Sequence, residues 1–310
     1  MKSVKFCLAA AILLIAAALI SIYGFGGAQG IIFKLRLARV LCALLCGGAL
    51  AAAGVLLQNL LKNPLADPYI LGTSAGSTLG AALAVLLGIG YYSFGFYVLI
   101  VGGAFLSAVL VCSLAYGGGQ GSAVKVILAG IAVNIFLSAL VMLFLFLNKQ
   151  AYFSVLGFML GSITDRPFFV IAVSAGLIAA GLILAVLLAR QTDILALGEQ
   201  SAQVLGADVR KLRYAVLLAA ALLVGGAVGL AGAIGFVGFI IPHIARLLTG
   251  PRVKPLLFSA ALAGAAFLTG MEALNRFLFY PQQIPVGILC ALAGAPFFIW
   301  ILLKNKGDYF

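Results

Sequence analysis

Apolar runs of roughly 20 residues recur from one end of this chain to the other, separated by short polar intervals. That recurrence leaves few choices of fold. About 20 helical residues cross a hydrocarbon core, and a backbone that spans it must satisfy its polar groups internally, as a helix or a closed barrel. The alternating ten-residue pattern of a barrel is missing. With 65% hydrophobic residues, 8% charged residues and a mean hydropathy of +1.26, the chain lacks the side chains for a polar shell.

The sequence therefore predicts an all-α polytopic membrane protein with about ten transmembrane helices, at residues 6–23, 40–61, 70–89, 94–116, 124–147, 168–189, 214–231, 234–248, 256–279 and 286–303. Residues 152–162 could add a short helix at the outer surface. Lys2 and Lys5 ahead of an apolar segment resemble a signal peptide, but the segment is long for that role and reads as the first span.

Charge sets the orientation. With an inside N-terminus, Lys2, Lys5, Lys62, Lys125, Arg190, Arg210, Lys211, Arg213, Arg246, Arg252, Lys254, Lys304 and Lys306 face the cytoplasm, 13 of the 19 basic residues. The positive-inside rule supports this topology with both termini cytoplasmic, and it accounts for the net charge of +12 without nucleic acid.

Two polar, proline-bearing stretches, Asn63-Pro64-Leu65-Ala66-Asp67-Pro68 and Ile241-Pro242-His243-Ile244-Ala245-Arg246, interrupt the apolar pattern 178 positions apart. At that offset Gly47-Gly48-Ala49, Ala53-Gly54, Pro64 and Gly72 fall on Gly225-Gly226-Ala227, Ala231-Gly232, Pro242 and Gly250. The second span runs inward and the seventh outward, so the repeat is inverted, as in many transporters. Repeat halves of about 36–147 and 213–303 lie within a single permease domain, 1–310. Coincident glycine-rich helix packing is the alternative source of the pattern.

Arg36-Leu37-Ala38-Arg39, Gly54-x-x-x-Gln58 and Asn63-Pro64-Leu65-Ala66-Asp67-Pro68-x-x-Leu71-Gly72 resemble the opening signature of the iron-complex and cobalamin importer permeases, the FecCD family. Leu197-Gly198-Glu199-x-x-Ala202-x-x-Leu205-Gly206, Gly235-Phe236-Val237-Gly238, Pro242-His243-Ile244-x-Arg246, Ile284-Pro285-Val286-Gly287 and Gly294-Ala295-Pro296-Phe297-Phe298 match it in order. The resemblance implies the type II ABC importer permease fold in a bacterial inner (cytoplasmic) membrane. It further implies a homodimer around a central pathway, two cytoplasmic ATPase subunits below and an external substrate-binding protein above.

The chain has no G-x-x-x-x-G-K-[ST] loop, so ATP and Mg belong to the partner ATPase and this subunit is not itself an enzyme. No cofactor and no metal are expected on this chain. The polar interval 190–213 resembles the family's coupling helices, with Asp193, Leu197, Gly198, Glu199, Ala202, Leu205, Gly206 and Arg210 expected to meet the ATPase. Glu199 suits a helix N-terminus, and Gly206 can end a short helix by turning left-handed.

Arginines matching Arg36 or Arg39 and Arg276 meet acidic groups of the binding protein in the family, and the guanidinium fork suits that pairing. Three residues depart from its pattern: Ala38 and Ala233 stand where proline is usual, and Glu272 where aspartate is usual. Glu272 lies one helical turn from Arg276 and can pair with it. Asn63, Pro64, Asp67, Pro68, Gly72, Pro242, His243 and Arg246 are expected to be structural or gating residues. A lone histidine cannot build a metal site, and the five cysteines lie unpaired in apolar helices.

The rival reading is an ion-coupled secondary transporter, which would want intramembrane acids, of which only Glu272 is a candidate. An intramembrane enzyme would want a nucleophile with its base or a metal motif, and the sequence has neither. Few charges sit inside the spans, in keeping with a bulky chelate in a weakly interacting channel, whether ferric siderophore, haem or cobalamin.

Overall fold

A computed structural model of the chain describes residues 2–23, 30–90, 93–116, 123–148, 152–196, 198–206, 208–279 and 282–304. Leu197 lies outside them. The described residues form twelve α-helices and one 3-10 turn: α1 (Lys2–Tyr23), α2 (Ile31–Leu60), the 3-10 turn (Pro68–Leu71), α3 (Thr73–Leu86), α4 (Phe94–Tyr116), α5 (Ala123–Leu147), α6 (Tyr152–Met159), α7 (Phe168–Ala196), α8 (Glu199–Val204), α9 (Val209–Ala231), α10 (Val237–Thr249), α11 (Val253–Phe279) and α12 (Val286–Lys304). Seven of these (α1, α2, α4, α5, α7, α9 and α11) are long and apolar enough to cross a membrane. The shorter apolar helices α3, α10 and α12 bring the number to the ten segments read from the sequence.

The boundaries moved where charge had set them. Helix α2 starts at Ile31 and carries Arg36 and Arg39 on its first turns, and α7 runs on to Ala196 through Arg190 and Asp193. Helical hydrogen bonding continues wherever water or headgroups can take the charges, so apolar length underestimates helix length.

Helices α2 and α9 form the buried centre, whereas α1, α4, α5 and α7 turn large apolar side chains outward, among them Leu106, Ile135, Phe146 and Leu187. An apolar exterior is what a helix facing lipid requires. The centre closes through backbone contact. A Cβ on Gly47 would collide with the Gly264 carbonyl of α11, and one on Gly54 with the Gly238 carbonyl of α10. Glycine at these crossings lets the helices approach to backbone distance.

The offset of 178 carries the start of α2 onto the start of α9, but the halves then diverge. Helix α2 continues unbroken through Gly54, while α9 stops at Gly232, whose φ of 71° is easy only for glycine. Chain 232–236 is irregular, and Phe236 takes a left-handed φ of 69° before α10 begins. Pro242 sits inside α10, within the span expected at 234–248. The carbonyl it leaves without an i→i−4 donor, that of Gly238, is the one Gly54 packs against.

Candidate functional site

Three groups of predicted residues occupy three levels of the bundle. At the end reached by the C-terminus of α1, Arg36 Nη1 donates to the Ile22 carbonyl at 2.8 Å and Arg276 Nη1 to the Ser21 carbonyl at 2.8 Å. Two guanidinium groups thus satisfy carbonyls in the last turn of α1, where the helix dipole is negative. Arg276 also reaches Glu272 Oε1 at 3.3 Å. Both side chains are buried, 5% and 1% exposed. Arg276, expected at a docking surface, ties α11 to α1, its guanidinium held by the i,i+4 carboxylate and the α1 carbonyl.

Arg39 keeps partial access to solvent, its side chain 22% exposed. Its Nη1 donates to Gln283 Oε1 at 2.6 Å and its Nη2 lies 3.5 Å from Asp165 Oδ1. Neither Asp165 nor Gln283 stood out in the sequence. No local pattern could reveal them, since 126 and 244 positions separate them from Arg39.

Below this, the first signature segment folds on its own side chains. Asn63 Oδ1 accepts from the Leu65 N–H at 2.8 Å, Asp67 Oδ1 caps the 3-10 turn through the Tyr69 N–H at 2.8 Å, Pro68 takes its first position and Gly72 ends it at φ 72°. Asx turns and N-caps explain these residue types. Tyr69, which sequence reasoning passed over, then joins the two halves: its hydroxyl donates to the Ile234 carbonyl at 3.2 Å and accepts from the Ile234 N–H at 2.8 Å. Asn134 Nδ2 donates to the Tyr69 carbonyl at 3.1 Å. The break between α9 and α10 is thereby pinned to the loop after α2.

Burial pushes the Asp67 carboxyl up from an ordinary 3.8 to about 6, against the lowering effect of the Tyr69 N–H. Between those values the folded chain holds a proton that the unfolded chain releases, so stability falls as pH rises through the interval. Asp67→Asn keeps the capping oxygen and removes the titration. The variant's advantage over the parent should grow by about 1 kcal/mol between pH 5 and pH 7.5 in thermal unfolding of the detergent-solubilised protein. An identical difference at both pH values would refute this role for Asp67.

At the opposite end, Asp193 Oδ1 accepts from the Val253 N–H at 2.8 Å, so the end of α7 caps the start of α11. Helix α8 is a six-residue helix opened by Gly198 at φ 129° and followed by Gly206 at φ 80°. The left-handed Gly206 anticipated from the sequence is found where the short helix ends. Ala202 is buried, while Val204 and Leu205 stand 88% and 62% exposed among Gln200, Gln203 and Arg210. Asp208 caps α9 through the Lys211 N–H at 3.1 Å, and that donor holds its carboxyl below the usual range.

Gln58 Nε2 donates to the Phe239 carbonyl at 3.1 Å, and Arg246 Nη2 reaches Gln58 Oε1 at 3.3 Å. His243 is half-buried beside a cavity of about 320 Å³ that Lys62 and Arg246 also line. No three His, Cys, Asp or Glu side chains gather as a metal site among the described residues.

Spanning helices around a pinned central break, with a short exposed helix between two of them, fit a membrane transport subunit. The chain belongs to the FecCD transport family, whose sequence profile matches residues 3–304. It is a permease subunit of the ABC importer class, a multi-pass membrane protein that works with an ATPase and a binding protein.

It is 38% identical over 295 residues to the Bacillus subtilis ABC transporter permease YvrB, covering 91% of this chain and 83% of that one. It is 34% identical over 279 residues to the Yersinia pestis hemin transport system permease HmuU, covering 88% and 83%. Among solved structures, an inward-facing transporter assigned to the metal-chelate type superposes with a TM-score of 0.88 at 31% identity, covering 97% of this chain and 99% of that one.

Proposed function

We propose that the chain forms, as a homodimer in a bacterial inner membrane with both termini in the cytoplasm, the passageway for a bulky metal chelate: a ferric siderophore, haem or cobalamin. The observation that carries this reading is the likeness to the metal-chelate transporter over 97% of the chain. Two ATPase subunits bind at the end bearing α8, and the external binding protein at the end bearing Arg36 and Arg39. ATP binding draws the ATPases together, and the segment from Asp193 to Arg210, with Gly198, Glu199 and Ala202, carries the motion into α7 and α9. The loop of Asn63, Pro64, Asp67, Pro68 and Gly72, pinned through Tyr69 to the break that precedes α10 and its Pro242, keeps the two halves moving as one body.

Arg39 is the docking residue best supported, since it is partly exposed and, among the described residues, held by a half-exposed carboxylate and an amide that an incoming acidic side chain can replace. Arg36 and Arg276 support docking indirectly by fixing α1. Arg39→Glu should weaken binding-protein affinity about tenfold at low salt and much less at high salt, as titrated by surface plasmon resonance on nanodiscs. Unchanged affinity at low salt would remove Arg39 from the interface. Secondary transport is disfavoured by the engagement of Glu272 with Arg276.

The deciding experiment is purification of the tagged chain from native membranes in mild detergent, with mass spectrometry of stoichiometric partners and analysis for iron, haem or corrinoid. An equimolar ATPase is expected. A chain recovered alone, and active in vesicles on an ion gradient without ATP, would overturn the proposal.

A further inference from the structure

The cavity of about 320 Å³ at the α8 end lies between the C-terminal turns of α2, α7 and α10. Its charged lining is basic, Lys62 and Arg246, with the neutral His243 beside them and no acidic residue among the described ones. Gln58 braces this wall, accepting from Arg246 while donating to the Phe239 carbonyl.

Lys62 provides the second, independent observation. It follows the end of α2 with φ 50°, where the Lys62 N–H bonds to the Asn59 carbonyl at 3.3 Å and the Asn63 N–H to the Gln58 carbonyl at 3.1 Å. This is the helix-ending motif that favours glycine, since a side chain in the left-handed region crowds its own carbonyl. A strained lysine where glycine would be easier, exposed at the mouth of a basic cavity, points to a use for the charge.

Ala196, the last residue of α7, lines the same cavity, and α8, on which Val204 and Leu205 stand exposed, packs against α7. An apolar pair among polar neighbours is a protein-facing feature.

We propose that the cavity receives an aspartate or glutamate side chain of the ATPase subunit, paired with Lys62 and Arg246, as an anchor beside α8. The inference rests on the reading that the ATPase docks at this end. Both a protein carboxylate and a phospholipid headgroup complement this charge, and the packing of α8 against α7 beside the cavity favours the carboxylate.

The test is zero-length carbodiimide coupling of the purified permease–ATPase complex, followed by peptide mass spectrometry. The Lys211–Asp208 pair, with Nζ and Oδ2 3.2 Å apart, reports that coupling has worked. An isopeptide between Lys62 and an ATPase carboxylate is expected. Lys62→Gly, which suits the backbone and so preserves the fold, should weaken ATPase affinity about fivefold at low salt and little at high salt.

A complex that couples Lys211 to Asp208 but never Lys62 to the ATPase overturns the anchor and leaves the importer reading intact. Loss of co-purifying anionic phospholipid from Lys62→Gly, with ATPase affinity unchanged, reassigns the cavity to a headgroup. A chain that binds no ATPase at all overturns both readings.

Discussion

Glu272→Leu is expected to destabilise the detergent-solubilised protein by about 3 to 5 kcal/mol, because it leaves the Arg276 charge buried without its carboxylate. The pair is nearly excluded from solvent, and among the described residues Arg276 otherwise donates to the neutral Ser21 carbonyl. A backbone carbonyl offsets part of the cost of desolvating a guanidinium but cannot neutralise it. Arg276→Met should cost a similar amount for the reverse reason, and it also frees α1, whose final turn loses a donor. The double variant Glu272→Leu/Arg276→Met removes both charges and should recover most of the loss, since a buried ion pair contributes little beyond an apolar pair of similar volume. Thermal unfolding of the four proteins in one detergent closes the double-mutant cycle. If either single variant lost under about 1 kcal/mol, the pair would have to be hydrated and the tie between α11 and α1 would be weak.

Val204→Asp/Leu205→Asp should abolish most ATP-driven uptake while leaving the fold and binding-protein affinity unchanged. These side chains are largely exposed on the permease alone, so no core contact is lost when they become charged. Placed against an ATPase they would supply an apolar contact, and two buried carboxylates there would cost about 2 to 4 kcal/mol, some thirty- to a thousandfold in affinity. Proteoliposomes loaded with ATP read the uptake, and co-purification reads the retained ATPase. Gly206→Val offers a backbone test of the same element: at φ 80° a β-branched residue is strained, so α8 should lose its ending and coupling should fall. Unchanged uptake in both variants would exclude α8 from coupling.

Much of this protein was legible in its sequence because the deciding physics is local. Apolar length fixed the ten helical segments, since a membrane core demands internal hydrogen bonding over a set number of residues. Asn63, Asp67 and Gly72 announced a turn, a cap and a left-handed ending, because each acts on backbone within a few positions of itself. Glu272 and Arg276 announced their pairing by a spacing of one helical turn. Gly198 and Gly206 bounded α8 for the same reason.

What the tertiary structure decided was which distant residues meet. Arg276 could be expected to pair with Glu272, but nothing local showed that it also reaches the Ser21 carbonyl 255 positions away. Arg39 found Asp165 and Gln283, Tyr69 found Ile234, and Lys62 came to share a cavity with Arg246, all through the packing of helices remote in the chain. Their approach is set by backbone contacts such as Gly47 on Gly264 and Gly54 on Gly238, whose partners no local pattern names. Hydrogen bonding and hydrophobicity along a helix are properties of neighbours in sequence, whereas the meeting of two helix faces is a property of the whole fold.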